Sequence, residues 1–316
     1  MIPLITKTNI SFNCLNLFII VILINPFNAL LWGVRRNQRD VINLYSFLSP
    51  LMSITTGSNM LNFGYWPDGI DNPTEAQENL CKITGKLADL DSGKALVDVG
   101  SGLSSPAIFW KNEFPLLEIY CININHHHLN FANNLKKQYP FQKNSNKNLN
   151  DIYLLNSTAI KLPFNKQSID RLIALESAQH FKPLTEFVQE VNYILKRDGI
   201  FVIAIPVITK LFNPLKNLVK LGILSFTWAS EHYVLNDILN ILKSEKFEII
   251  ELINIGPLVY EPLAEYYIKN RNIHLKAITS EYGSLLEHIL YKSILKMEKL
   301  SKEKIIDYVI IKLKKP

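Results

Sequence analysis

Through the middle of the chain, short apolar runs alternate with stretches whose apolar residues return every three or four positions. The runs at 95–99 (ALVDV), 117–125 (LEIYCININ), 169–175 (IDRLIAL) and 200–205 (IFVIAI) have the length and β-branched content of buried strands. Between them, Leu184, Phe187, Val188, Val191, Ile194 and Leu195 mark one face of a helix, and 128–137 predicts another. Lys196-Arg197-Asp198-Gly199 has the basic residues and glycine that close a helix, and Pro206 is expected to end the strand after it. Strands alternating with helices predict a parallel sheet with right-handed crossovers. Upstream, Asn72-Pro73-Thr74-Glu75 reads as a helix start, and Leu80, Ile83, Leu87 and Leu90 as the stripe that packs it on the sheet. Downstream, the pattern predicts a helix over 237–242, a strand over 247–255, helices over 263–300 and a last strand over 307–313.

One junction concentrates chemistry. Asp98 interrupts the apolar run near its end, Gly100-Ser101-Gly102 makes a tight turn, and Ser104-Ser105-Pro106 opens a helix with Ser104 as its expected cap. Glycine lets a ligand approach the backbone closely. The helix start offers unpaired N–H groups to a carboxylate or phosphate, at the carboxyl end of a parallel strand.

Composition narrows the class. The 316 residues, 48% hydrophobic, suffice for one large core with a lid, or for two small domains. The net charge of +6 is concentrated in the lysine-rich stretch 292–315, which also holds Glu298, Glu303 and Asp307. A mixed run of that kind is a solvated helix face, so no nucleic-acid partner is expected. Cys14, Cys81 and Cys121 lack any CxxC spacing and fit a reducing compartment. His126-His127-His128 reads as the surface entry of a helix and not a metal site, because consecutive helical residues diverge.

Five blocks follow one another in a familiar order: Asn62-Phe63-Gly64-Tyr65-Trp66, then Val97 to Gly102, then Leu162-Pro163-Phe164 with Ser168-Ile169-Asp170. Glu176-Ser177-Ala178-Gln179-His180-Phe181 and Leu195-Lys196-Arg197-Asp198-Gly199 complete the set. Together they resemble the class I S-adenosylmethionine-dependent methyltransferases. The likeness is to their small-molecule branch, with its sugar O-methyltransferases of antibiotic pathways and its sterol and tocopherol methyltransferases. The resemblance implies an α/β, Rossmann-like seven-stranded methyltransferase sheet with helices on both faces and a helical acceptor lid. It implies S-adenosyl-L-methionine as cofactor, with Gly100, Ser101 and Gly102 against its methionine part. Asp98 would orient that loop or meet the cofactor's amino group, and Tyr65 would belong to the cofactor site. Asn123 stands where an acid usually grips the ribose hydroxyls, and its amide can still bond a hydroxyl. Thr158 and Ala159 fall on the adenine side, again without the usual acid, and Ser104 replaces the third glycine of the first motif.

Methyl transfer asks the protein mainly to align acceptor, methyl carbon and sulfur. His180 is the candidate general base for a hydroxyl acceptor, or alternatively a helix-entry histidine that hydrogen-bonds backbone. Glu176 is expected to orient the acceptor or bind a cation, or alternatively to pair with Arg171 or clamp backbone. Pro206 holds the place of an acid that relatives often carry, so no metal role is expected there.

The expected division is a hydrophobic extension over residues 1–40 and, as the resemblance implies, a methyltransferase domain over 41–316 with the acceptor lid within about 207–305. The apolar run 15–24, broken at Asn25-Pro26 and followed by Arg35, Arg36 and Arg39, reads as an interfacial or inserted anchor on the cytoplasmic side. A buried lid helix and a misassigned start are the other readings. An anchor and the aromatic residues Phe226, Trp228, Tyr233, Tyr260, Tyr266 and Tyr267 favour a small lipophilic acceptor, although such aromatics are more often core than pocket. The chain is expected in the cytoplasm, touching a membrane surface through its N-terminus and open to homodimer formation. Two competing readings remain: a membrane-associated scaffold that keeps the fold without catalysis, and a dinucleotide-dependent oxidoreductase. The second leaves four of the five blocks unexplained.

Overall fold

The computed structural model describes residues 35, 37–139, 152–209, 220–227 and 231–316. Among the described residues the first elements are α1 (Gln38–Thr56) and α2 (Pro73–Leu87), then β1 (Ala95–Val99), α3 (Ser105–Glu113), β2 (Glu118–Asn123), α4 (His126–Gln138) and β3 (Ile152–Asn156). β4 (Ile169–Leu175), α5 (Leu184–Ile194), β5 (Leu195–Ile208), the short α6 (Leu224–Thr227), α7 (Leu235–Ser244) and β6 (Glu248–Asn254) follow. Three helices, α8 (Pro257–Lys269), α9 (Arg271–Tyr282) and α10 (Ser284–Lys302), lead to β7 (Ile306–Lys314).

The seven strands form one sheet in the order β3-β2-β1-β4-β5-β7-β6. Strands β1 to β5 are parallel, and β7 runs antiparallel to both β5 and β6. One buried cluster lies on the side of α2 and α3, with Leu80, Leu90 and Trp110; a second lies on the side of α5 and α7, with Phe187, Val191 and Ile238. A third, around Leu51, Tyr267 and Ile278, joins α1 to the helices α8 to α10. The sheet order reverses beside β1, so the carboxyl ends of β1 and β4 open onto the crevice where α/β folds bind ligands.

Local chemistry explains where the elements depart from expectation. Asn72 caps α2 as read, its side chain accepting from Glu75 N at 2.9 Å. Ser104 does not cap α3: it sits at φ 57°, and its hydroxyl donates to Ser101 Oγ at 3.1 Å. It therefore takes the left-handed position that a glycine would fill more cheaply. Residues 196–199 do not close α5, because Leu195 is already extended and pairs with Ile169. The tight turn uses Asp198 at φ 61°, whose N–H donates to Lys315 O, while Gly199 O accepts from Lys315 N. Pro206 does not end β5. The strand runs on to Ile208 against β7, past the point where its pairing with β4 stops, so the missing N–H falls on an unpaired edge. No helix among the described residues is long and apolar enough to cross a membrane; the run 15–24, Cys14, Arg36 and Trp228 lie outside the described residues.

Candidate active site

The crevice holds a cavity of about 350 Å³ that Asp98, Gly100, Ser101, Gly102, Asn123, Thr158, Ala159, Glu176 and His180 all border. Nine of the ten residues read as site candidates thus come together; Tyr65 does not. Its N–H donates to Ala76 O, and its side chain packs against the core on the α2 side.

β1 delivers Asp98 to the cavity floor. The carboxyl is buried, its Oδ2 has no hydrogen-bond partner, and burial pushes its pKa up to about 7. A charged form with nothing to meet it is disfavoured in such surroundings. The glycine turn then folds over β2, with Gly100 and Ser101 N–H groups both donating to Ile122 O. Gly100 has φ 78°, and a Cβ there would lie 2.3 Å from Ser177 Cβ, so no other residue fits. Asn123 supports this loop from β2: its Nδ2 donates to Gly102 O at 2.9 Å, and its Oδ1 accepts from Asn125 N at 2.8 Å.

β4 delivers the second half. Glu176 follows the strand at φ 48°, and its Oε1 accepts from Phe63 N at 2.9 Å. Of the partners weighed for it, the backbone clamp is what forms; Arg171 turns instead to Asp89 O and Ser92 Oγ. Burial raises the Glu176 pKa to about 8, against the lowering effect of its hydrogen bonds. The 60s block is thereby tied to the site, and its first residue, Asn62, with Leu61 forms part of the cavity wall.

His180 closes a single 3₁₀ turn at Ala178–His180, and its Nε2 lies 2.7 Å from Tyr45 Oη. The two rings meet edge to face at 5.1 Å. Burial, with the Glu176 charge second, lifts the Tyr45 phenol well above its usual pKa, so it stays protonated. Tyr45 comes from α1, as do Gln38, Val41 and Ile42, which roof the cavity. Gln38 Nε2 also reaches Thr158 Oγ1 at 3.3 Å.

The histidine tract divides. His126 and His127 are exposed at the start of α4, but His128 is buried and lines the cavity. It does so because position three of the helix turns inward beneath α1, where Ser49 Oγ lies 3.1 Å from its Nε2. Burial lowers its pKa to about 4. Among the described residues no cluster of three or more His, Cys, Asp or Glu side chains could hold a metal ion. The lid aromatics Tyr260 and Tyr267 are core, and Tyr233 donates to Phe181 O.

Residues 97–203 match the family described as Methyltransferase domain. The chain is 28% identical over 150 residues to the erythromycin 3''-O-methyltransferase of Saccharopolyspora erythraea, covering 47% of this chain and 46% of that protein. It spans about half the length of the curated relatives it matches. The [4+2]-cyclase SpnF superposes with a TM-score of 0.72 at 19% identity, over 89% of this chain and 96% of its own. The geranyl diphosphate C-methyltransferase of Streptomyces coelicolor A3(2), in complex with Mg2+, geranyl diphosphate and S-adenosyl-L-homocysteine, superposes with a TM-score of 0.60 at 12% identity, over 78% and 82%. A cyclase among them is a reminder that fold alone does not fix chemistry. Over 97–203 the chain thus matches the methyltransferase domain family, and over most of its length it shares the Rossmann-like fold of these solved structures.

Proposed function

We propose that the chain is an S-adenosylmethionine-dependent methyltransferase acting on a small, lipophilic acceptor. The observation that carries this is Asp98: a buried carboxyl with an unmet oxygen, facing a cavity beside a glycine cradle. An ammonium group is the partner that such an oxygen lacks, and the methionine part of the cofactor has one. The residues present therefore fit the group: Asp98 would meet its amino group, and the loop Gly100 to Gly102 would lie along it. When bound, S-adenosylmethionine supplies an electrophilic sulfonium methyl.

The chain's own residues do the rest. Val41 and Ile42 of the roof, with Phe181 beside the glycine loop, line the cavity with apolar side chains that would exclude water once ligands are bound. Tyr45, kept a phenol, lies 2.7 Å from Nε2 of His180, so a hydroxyl acceptor's proton would reach the imidazole through it: Tyr45 Oη takes the acceptor's proton as it passes its own to Nε2. Apolar cavity walls and the geranyl diphosphate bound by a structural neighbour support a lipophilic acceptor.

Calorimetric titration of the chain with S-adenosylmethionine and with NAD tests the reading. Micromolar binding of the first alone is expected, weakened at least tenfold in Asp98→Ala. Binding of NAD alone, or of neither, sinks it.

A further inference from the structure

The acid that would grip ribose hydroxyls is absent at the end of β2, and Asn123 is occupied with its own loop through both ends of its amide. Its neighbour Asn125 is equally committed, accepting from His127 N and donating to Ser46 Oγ. A further polar side chain at this end of the cavity is His128. Its protonation pattern is set by α1. The Ser49 hydroxyl has one hydrogen, and it goes to Tyr45 O at 2.6 Å. Toward His128, Ser49 Oγ can then only accept, so Nε2 carries the imidazole's hydrogen and donates it across 3.1 Å. The ring's remaining nitrogen, Nδ1, is left with a lone pair in a buried, neutral imidazole that borders the cavity. Bordering the cavity, that lone pair can accept from a donor that a bound ligand brings. A carboxylate or a sulfonium offers none; a hydroxyl does.

We propose that His128, held in its Nε2–H tautomer by Ser49, accepts a hydrogen bond from a ribose hydroxyl of the bound cofactor in place of the missing acid. Asn123 then acts as a positioning residue for the glycine loop, not as the ribose ligand. The assignment rests on the cofactor reading above and refines it.

The test titrates the full chain with S-adenosylhomocysteine and with its 2′,3′-dideoxy analogue. One net hydrogen bond is worth about a three- to tenfold change in affinity. The wild-type chain should bind the dideoxy compound weaker by that factor. His128→Leu should bind both compounds alike, and His128→Gln, which restores an acceptor, should regain part of the preference. In 15N-histidine spectra, the His128 Nδ1 signal should move on adding S-adenosylhomocysteine and stay put with the dideoxy analogue. Should His128→Leu fail to fold, the wild-type comparison and the spectra decide alone. Equal wild-type affinities for the two compounds, or an undiminished preference in His128→Leu, would overturn the assignment while leaving the cofactor reading intact. Failure of S-adenosylhomocysteine to bind the wild-type chain would overturn both.

Discussion

Asp98 and Glu176 end the neighbouring strands β1 and β4 as buried carboxyls with pKa values raised to about 7 and about 8. Unfolded carboxyls titrate near ~4, so the folded chain holds extra protons between about 4 and those raised values. Their stabilising contribution is complete below pH ~4 and is lost as pH rises through 7 and 8, by about 1.4 kcal/mol per pH unit for each proton. His128 works in the opposite sense, because its pKa falls to about 4 in the folded chain. It costs stability as pH drops below about 6.5, its usual value, and is silent above. The cofactor-free chain should therefore lose stability between pH 6.5 and 8, as urea melts would show, and Glu176→Gln should flatten that slope. A ligand bringing an ammonium to Asp98 forces the carboxyl to ionise. Its affinity should rise with pH up to about 7 and then level, with proton release visible when calorimetry is repeated in buffers of different ionisation enthalpy. Constant affinity from pH 5 to 8 would remove the ammonium contact from the account.

Of the elements absent from the sequence reading, α1 and β3 were hidden for identifiable reasons. β3 is an edge strand whose residues are mostly half-buried or exposed, so IYLLN shows no clean alternation. α1 contains Pro50, and Ser46 and Ser49 send their hydroxyls back to carbonyls four residues earlier, so its composition does not read as a helix. Tyr45, Gln38 and Ser49 were missed with it, and His128 was assigned to the surface because only α1 makes that face of α4 an interior. Whereas 196–199 was misread as a helix end, the glycine turns were legible because their demands fall on the glycines themselves. Gly64 shows how strict those are: at φ 83°, a Cβ would fall 2.8 Å from Ala76 Cβ and 2.9 Å from its carbonyl carbon. Gly57, which ends α1, also has positive φ (70°) but nothing within 4 Å. Gly57→Ala should cost about 1–2 kcal/mol of left-handed strain alone, and Gly64→Ala about 2–4 kcal/mol because overpacking is added. Equal losses in denaturant titrations would mean that the backbone around Ala76 yields freely.

At the scale of the molecule, α1 joins what the sheet separates. One face roofs the cavity through Gln38, Val41, Ile42 and Tyr45, while Leu48 and Leu51 pack into the cluster with Ala264, Tyr267 and Ile278. Phe47 meets Tyr282 edge to face at 5.5 Å, which ties the same helix to the end of α9. Those contacts bury fewer side chains than either sheet face, so α1 is among the elements that open most easily. A ligand in the cavity adds its contacts to the roof, and α1 can leave only by giving those up as well as its packing on α8 to α10. Saturation with S-adenosylhomocysteine at a hundred times its dissociation constant should stabilise the chain by about 2.7 kcal/mol. Hydrogen exchange should then slow in the glycine loop, in α1 and, through α1, in α8 to α10. Tyr45→Phe should keep the loop protection and lose part of that in α1, since it cuts the bond to His180 but not the apolar packing. Protection confined to the glycine loop would show that α1 rides on the helical layer and not on the ligand, and the roof would then need another account.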